Sequence, residues 1–555
     1  MFIRQKKSGE RIYLQVVENR WAGGRVRQRV VATLGRLDHL RESGQLDGLI
    51  ESASRFSEAL LVISAHKRGE LPSISTEIVG PALVFERLWQ ETGCQSVIRS
   101  LLGERSFEFP VERAVFLSVL HRLVVSGSDR AAEKWRRDYR IKGTETLELH
   151  HLYRAMAWLG TVLPPHLQAG RTPFSPRCTK DRIEEGLFAH RRDLFTSLDL
   201  VFFDTTSIYF EGNGGTSIGR RGKSKDHRPD LKQMVVGAVL DGQGRPICCD
   251  LWPGNTSDVK ALMPVVDRLT RRFSVGRVCI VADRGMFDRK VMQEIEDHTD
   301  WQYILGARMR RVAEVRDDVL SRPGAYREVR PPGNRSKDPS PLKVKEVHVG
   351  GKRYVVCLNV NQKKKDQADR AAILASLRDQ LKRGAKSLVG NKGYRRYLEN
   401  PDEGFEIDEA KVREEARYDG KWVLKTNTDL DAAEVALKYM QLWMVESIFR
   451  DAKSLLETRP IFHKRDETIR GHVFCSFLAL VLRKELQDRL AARGEKQEWA
   501  DVVQDLKTLT ITRVQKDGKT FLLRSEATGS AGKVFQAAGV AMPPTVSQLT
   551  EAAAS

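Results

Sequence analysis

The sequence predicts an α/β fold, a mixed sheet flanked by helices, and three observations carry it. Residues 198–204 (LDLVFFD), 232–241 (KQMVVGAVLD) and 245–252 (RPICCDLW) are short apolar runs joined by glycine-rich turns, which reads as a three-strand meander. Next come a helix (258–272), a strand (277–282, RVCIVA), a helix (287–297) and a strand (301–305, WQYIL), and that order builds a sheet with helices against it. Apolar residues also recur every three or four positions through 78–196, and helices resume at 431–457 and 468–492.

With 555 residues, the chain exceeds what one hydrophobic core organises, so two to four domains are expected. Residues 1–75 open with a β-hairpin, 11–17 and 25–34 about the turn-forming WAGG, and continue as a polar helical stretch over 36–66. A break at ELPSIS (70–75) precedes the helical region 76–197. The core is expected in two pieces, 198–306 and 428–495. Between them, 307–427 reads as a β-rich insertion with strand-like KVKEVHVG, KRYVVCLNV and KWVLKT, a charged helix over 363–383 and loops such as RPPGNRSKDPSP. Residues 496–555 are expected to form a tail, mobile from its Ala/Gly/Ser-rich stretch at 525 onward. No internal repeat appears.

Charge narrows the partners. Lys and Arg number 93 against 73 Asp and Glu, a net of +20, and a surplus of that size suits a polyanion whose condensed counterions are released on binding. Residues 308–427 carry +11 of it, with 29 Lys and Arg against 18 Asp and Glu. No apolar run approaches the roughly 20 residues of a membrane span. The start, MFIRQKKSGERIYL, has a signal peptide's charge and no apolar stretch behind it, so a cytoplasmic protein is expected. Seven scattered cysteines without a CxxC pair read as buried free thiols.

Three carboxylates are the chemical candidates. Asp204 (VFFDTTS) and Asp283 (CIVADRG) each end an apolar strand, where a sheet holds a carboxylate rigidly and still lets it reach solvent or a metal. Glu446 lies in what reads as one long helix, KYMQLWMVESIFRDAK. Tyr439, Glu446, Arg450 and Lys453 fall within roughly 60° of one another on that helix, at about 100° per residue. Leu437, Met440, Met444, Ile448 and Leu455 form a separate stripe suited to packing on the sheet. Two hard divalent ions about 4 Å apart, held by oxygen ligands, activate one phosphate oxygen and stabilise another. Plainer readings stand beside this one. A strand-end Asp is a common turn former or helix cap, and Glu446 with Arg450 makes an ordinary i,i+4 pair.

Together these residues resemble the DDE transposases of bacterial insertion sequences, which have a ribonuclease-H-like catalytic core. The resemblance is to the group marked by Y-x2-R-x3-E-x6-K, in which Tyr439, Glu446 and Lys453 match and Leu442 stands where the family has Arg. DTTS (204–207), ADRG (282–285), LWPGNTSD (251–258), the β-rich insertion and the N-terminal YLQVVENRW…RVRQRVVATLGRL extend it over roughly residues 10–490. The resemblance implies a metal-dependent enzyme that binds terminal inverted repeats, nicks them and joins 3′-OH ends to target DNA. Asp204, Asp283 and Glu446 would then hold two Mg²⁺ or Mn²⁺ ions, and Tyr439 and Lys453 would hold end DNA, with Arg450 near enough to supply the cation that Leu442 does not. Trp422, on a strand before the helix, matches a family Trp that takes a flipped base, an interaction worth about 1–3 kcal/mol; a strand Trp equally suits a core. Double-stranded DNA, a homodimeric synaptic complex and a nucleoid location follow from the same resemblance. A ribonuclease-H-like nuclease without strand transfer and a non-catalytic DNA-binding derivative share the motifs.

Four further stretches admit two readings each. RRGKSKDHRPDLKQ (220–233), KKK (363–365) and KGYRRYL (392–398) are basic enough to touch DNA or to be merely solvated. His150 and His151 lack a ligand partner at metal spacing and read as core or surface histidines.

Overall fold

A computed structural model describes residues 2–549 except 23–24, 55–61, 63–64, 67, 70–72, 104–106, 169–170, 172–175, 192–199, 274–277, 299–300, 331–341, 383–395, 400–404, 455 and 517. It divides into two compact units: residues 1–84 with 138–140 and 496–555, and residues 85–137 with 141–495.

In the larger unit, the helices α1 (Val111–Val124), α2 (Asp129–Trp135), α3 (Leu149–Leu159) and α4 (Thr179–His190) bear out the helical reading of the region before the sheet. Every residue of α1 is buried, polar ones included. His151 accepts a hydrogen bond from the Glu148 amide as part of a capping box on α3, so this histidine serves the helix end.

The sheet has nine strands. In chain order they are β1 (Leu200–Tyr209), β2 (Gln233–Asp241), β3 (Pro246–Pro253), β4 (Val278–Ala282), β5 (Trp301–Gly306), β6 (Arg327–Val329), β7 (Leu342–Val349), β8 (Lys352–Asn359) and β9 (Lys421–Thr426). Their spatial order is β6-β7-β8-β9-β5-β4-β1-β2-β3. Among the described strands of this sheet, β1–β4 and β4–β5 pair in parallel. The meander and the alternation after it are as the sequence predicts. The stretch 307–427 does not stand apart, however. Its strands β6 to β9 extend the same sheet, because Val355, Cys357 and Leu424 are apolar on the face that continues the core. RPPGNRSKDPSP lies almost wholly outside the described residues.

Two apolar layers cover the sheet. Phe202, Val281, Ile304 and Leu424 meet helices α8 (Ala432–Met440), α9 (Trp443–Ser454) and α10 (Asp466–Ala492) on one face. Val201, Phe203, Val278 and Ile280 meet α5 (Asp258–Phe273) and α6 (Arg289–Asp297) on the other. The insertion's helix, α7 (Val360–Lys382), exposes Lys363, Lys364 and Lys365. The free edge of β3 is finished by side chains. The Cys249 amide donates to Glu184 at 3.0 Å and its carbonyl accepts from Lys180 at 2.6 Å, both on α4. Arg272 then pairs with Asp181, Glu184 and Glu185.

The smaller unit holds a three-stranded sheet, Phe2–Ser8, Arg11–Ala22 and Arg25–Arg36, one strand more than the predicted hairpin. Of the helical stretch expected over 36–66, Leu37–Glu42 and Gln45–Ser54 are helical, and much of the remainder lies outside the described residues. Among its described residues, the tail expected to be mobile is instead folded. Thr510–Lys516, Lys519–Arg524 and Val546–Gln548 form a four-stranded sheet with Ser73–Ile78, whose apolar residues Val514, Phe521 and Leu523 are buried. All seven cysteines are free and buried, as expected. Among the described residues, no helix is long and apolar enough to cross a membrane.

Candidate active site

Strand register brings the two aspartates together. Parallel pairing of β1 with β4 ends at Phe202 opposite Val281, and Asp204 and Asp283 each lie two residues further along. Side chains alternate along a strand, so both carboxylates sit on the face of Phe202 and Val281, beneath α8 and α9. Asp283 follows its strand's last residue, as predicted. Asp204 does not end its strand: β1 runs on to Tyr209, because Thr205–Tyr209 keep pairing with β2 after β4 has stopped. An aspartate inside a strand is thereby half-buried.

The predicted single helix around Glu446 is two helices. Leu442, Met444 and Val445 donate their amides three residues back, to Tyr439, Gln441 and Leu442, and these tight turns break the helix and rotate its second half against its first. Tyr439 ends up on α8, apart from Glu446, Arg450 and Lys453 on α9. Its hydroxyl donates to Asp283 Oδ1 at 2.9 Å, and burial together with Asp283 pushes that phenol well up. The core stripe shifts as well. Val445, Phe449 and Ala452 are buried, Leu437, Met444 and Ile448 pack at its margin, and Met440 is exposed. Leu455 lies outside the described residues. Leu442 also packs on the core, so the position where the family carries Arg offers no cation.

Asp204 and Glu446 line an open cleft of about 380 Å³ with Lys225, Arg450, Lys453 and Arg459. Burial pushes the Asp204 carboxyl up to about 6; Lys225 and the Thr205 amide pull the other way, and Asp258 and Asp283 add to the rise. Lys225 donates to the Thr205 carbonyl and hydroxyl at 2.7 and 2.9 Å and lies 3.4 Å from Asp258. Asp226 accepts from Lys453 at 2.8 Å and from Arg459 at 2.7 Å. Lys453 is therefore held by a carboxylate rather than free.

Sequence reasoning missed Lys225, Asp226, Asp258 and Arg459 as site residues. The basic stretch 220–233 was the available signal, and its path depends on two glycines. A Cβ on Gly222 would collide with the Gly254 carbonyl, and one on Gly254 would strike the carbonyls of Gln233 and Arg220. The loop can therefore close against the PGN turn of LWPGNTSD and deliver Lys225 and Asp226 to the cleft. Trp443, 61% exposed and one turn before Glu446, was likewise missed. Trp422 is half-buried on β9, packed on the core with its indole nitrogen unpartnered. In KGYRRYL, residues 392–395 lie outside the described residues.

The donor set fits hard divalent cations. Three carboxylates come from the interior of one strand, the end of another and one helix, and the depth of Asp204 beside two further aspartates leaves negative charge there for a cation to neutralise. The three acids are set more widely than a closed ligand cluster. Among the described residues, the one group of three His, Cys, Asp or Glu with ligand atoms all within 4.8 Å is Asp129, His463 and His472.

A family model described as the transposase DDE domain matches residues 196–482, just over half the chain. The chain belongs to the DDE transposases. Residues 2–65 of this transposase also match the model of the IS1634 family transposase N-terminal domain. No curated protein matches it. Among solved structures, it is similar to a piggyBac transposase synaptic complex with hairpin DNA, at 12% identity and a TM-score of 0.37, over 77% of this chain and 79% of that one. It is also similar to a Mos1 transposase paired-end complex with the left transposon end, at 15% identity and a TM-score of 0.14, over 40% of this chain and 76% of that one.

Proposed function

We propose that this transposase binds the terminal inverted repeats of its element, cleaves them, and joins the freed 3′-OH ends to target DNA. The observation that carries the proposal is the placement of Asp204 and Asp283 side by side past the last parallel strand pair, with Glu446 above the same sheet face. In this reading the sheet is a ribonuclease-H-like core, and Asp204, Asp283 and Glu446 hold two Mg²⁺ or Mn²⁺ ions. Two ions held there would supply activation of an attacking oxygen and charge stabilisation of a leaving one on a phosphodiester. The protein's own groups bind and orient the DNA. Arg450 and Lys225 face the backbone phosphates, while Asp226 fixes Lys453 and Arg459 as a rigid pair of cations, so that two flexible side chains are ordered before DNA arrives. Tyr439 orients the Asp283 carboxylate by its hydrogen bond.

Trp443 is exposed where an unstacked base would lie, and Trp422 takes that role only if the core opens around it. The basic stretch 307–427 grips end DNA, and cleavage of two ends at once calls for a homodimer. Plasmid bearing the element's ends, incubated with Mg²⁺, tests the assignment. Wild type nicks at the ends and yields joined products, while Asp204→Asn, Asp283→Asn and Glu446→Gln do neither. Nicking that survives in all three variants would refute the assignment, and nicking without joining would make the protein a nuclease.

A further inference from the structure

We propose that Asp129, His463 and His472 bind a divalent transition metal, Zn²⁺, at a site distinct from the three acidic residues of the cleft. The three come from different elements: Asp129 opens α2, His463 lies in the segment between α9 and α10, and His472 is on α10. His463 Nε2 is 3.3 Å from Asp129 Oδ2 and 3.2 Å from His472 Nδ1, and the latter two atoms are 3.9 Å apart. Ligands on a tetrahedral zinc, with bonds of about 2.0–2.1 Å, lie roughly 3.3 Å from one another. Two of the three spacings already match, and the third closes by a small side-chain rotation. Two imidazoles and one carboxylate suit Zn²⁺ and not Mg²⁺, which prefers oxygen.

The surroundings are those of a ligand set. His472 Nε2 lies 3.2 Å from the Thr458 carbonyl, which fixes the proton on that nitrogen and turns the Nδ1 lone pair toward the other two residues. A cavity of about 380 Å³, which Tyr153 and Glu457 also line, opens onto the three residues and leaves room for a fourth ligand such as water.

Arg122 is the competitor. Its Nη2 reaches His472 Nδ1 at 3.0 Å and Asp129 Oδ1 at 3.3 Å, while Nη1 is held by the Ser118 carbonyl at 2.8 Å. Metal uptake breaks the bond to His472 and leaves the other two, so binding is weaker than at an unopposed site. A bound ion would tie α2, α10 and the segment between α9 and α10 together. That segment carries Arg459, which lines both this cavity and the carboxylate cleft. The metal is thus a positioning element for one wall of the cleft.

The test uses the full-length chain, stripped with chelator and titrated with Co²⁺ as a spectroscopic probe and then with Zn²⁺. Wild type and Glu446→Gln should each take up one equivalent of Co²⁺ with tetrahedral visible absorption, separate from any ions taken up by the carboxylate cleft, and show a raised Tm. His463→Gln, at a half-buried position that leaves Asp129 and Arg122 paired, should lose the absorption and the Tm rise while keeping its circular dichroism; Mg²⁺ should produce neither signal. A folded wild type that takes up no Co²⁺ or Zn²⁺ would overturn the proposal and make the cluster a charge network around Arg122. Unchanged uptake in His463→Gln would overturn it too, placing the metal elsewhere. Loss of uptake in Glu446→Gln alone would assign the ion to the cleft. DNA cleavage in Mg²⁺ is scored separately, so failure here leaves the cleavage assignment standing.

Discussion

Replacing Asp204 with Asn should make the metal-free protein more stable at neutral pH. The ordinary carboxyl value of 3.8 rises to about 6 in the folded chain, since burial disfavours the charge and Asp258 and Asp283 lie close by. Between those two values the folded state holds a proton that the unfolded state has released. Stability therefore falls as pH rises from about 4 to about 6 and is flat above. The full gap corresponds to about 3 kcal/mol, and residual solvent screening reduces it to about 1–2 kcal/mol. The side-chain amide of the variant carries no charge at any of these pH values. Urea unfolding in EDTA should therefore show Asp204→Asn about 1–2 kcal/mol more stable at pH 7 and equal to wild type near pH 4. Added Mg²⁺ should stabilise wild type, because binding only the folded state adds about 2.7 kcal/mol at a hundredfold excess over Kd, and it should leave the variant unmoved. Parallel pH curves for the two proteins, or an Asn variant less stable at pH 7, would refute the reasoning.

Asp226→Ala removes the carboxylate that Lys453 and Arg459 share and leaves two cations facing each other; a loss of about 1–3 kcal/mol in urea is expected, with a steeper salt dependence of DNA binding in gel shifts. Tyr439→Phe deletes only the hydroxyl held by Asp283, so stability should change by less than about 1.5 kcal/mol while the cleavage rate falls, a split read by melting and single-turnover kinetics. Lys180→Met takes the donor from the Cys249 carbonyl and removes one of the two cations paired with Asp181 and Glu184; calorimetry should show a loss of about 3–5 kcal/mol, and a neutral result would mean that water replaces the amine.

Much of the α/β architecture was legible because strand and helix periods are local. Each apolar run of β1 to β5 and the helices between them could be read from spacing alone. The seven cysteines and the two histidines near 150 followed their plainer readings for the same reason. Composition misleads for the tail. Its Ala and Gly are fillers in a small unit whose sheet is completed by Ser73–Ile78, more than four hundred residues away in sequence.

Glu446 and the residues around it were nameable because a helix repeats in known steps, but the break at residues 441–442 was not. It falls between Tyr439, whose hydroxyl meets Asp283, and the buried Val445 and Phe449. Lys225 and Asp226 entered the cleft through glycine contacts between loops distant in sequence, and Arg459 through its pairing with Asp226. Local periodicity and the order of acidic residues thus determined the element types and the candidate carboxylates. Only the tertiary structure decided which strand continued past Asp204, which cations met which acids, and where Tyr439 pointed, because each depends on register and packing between segments that no single stretch encodes.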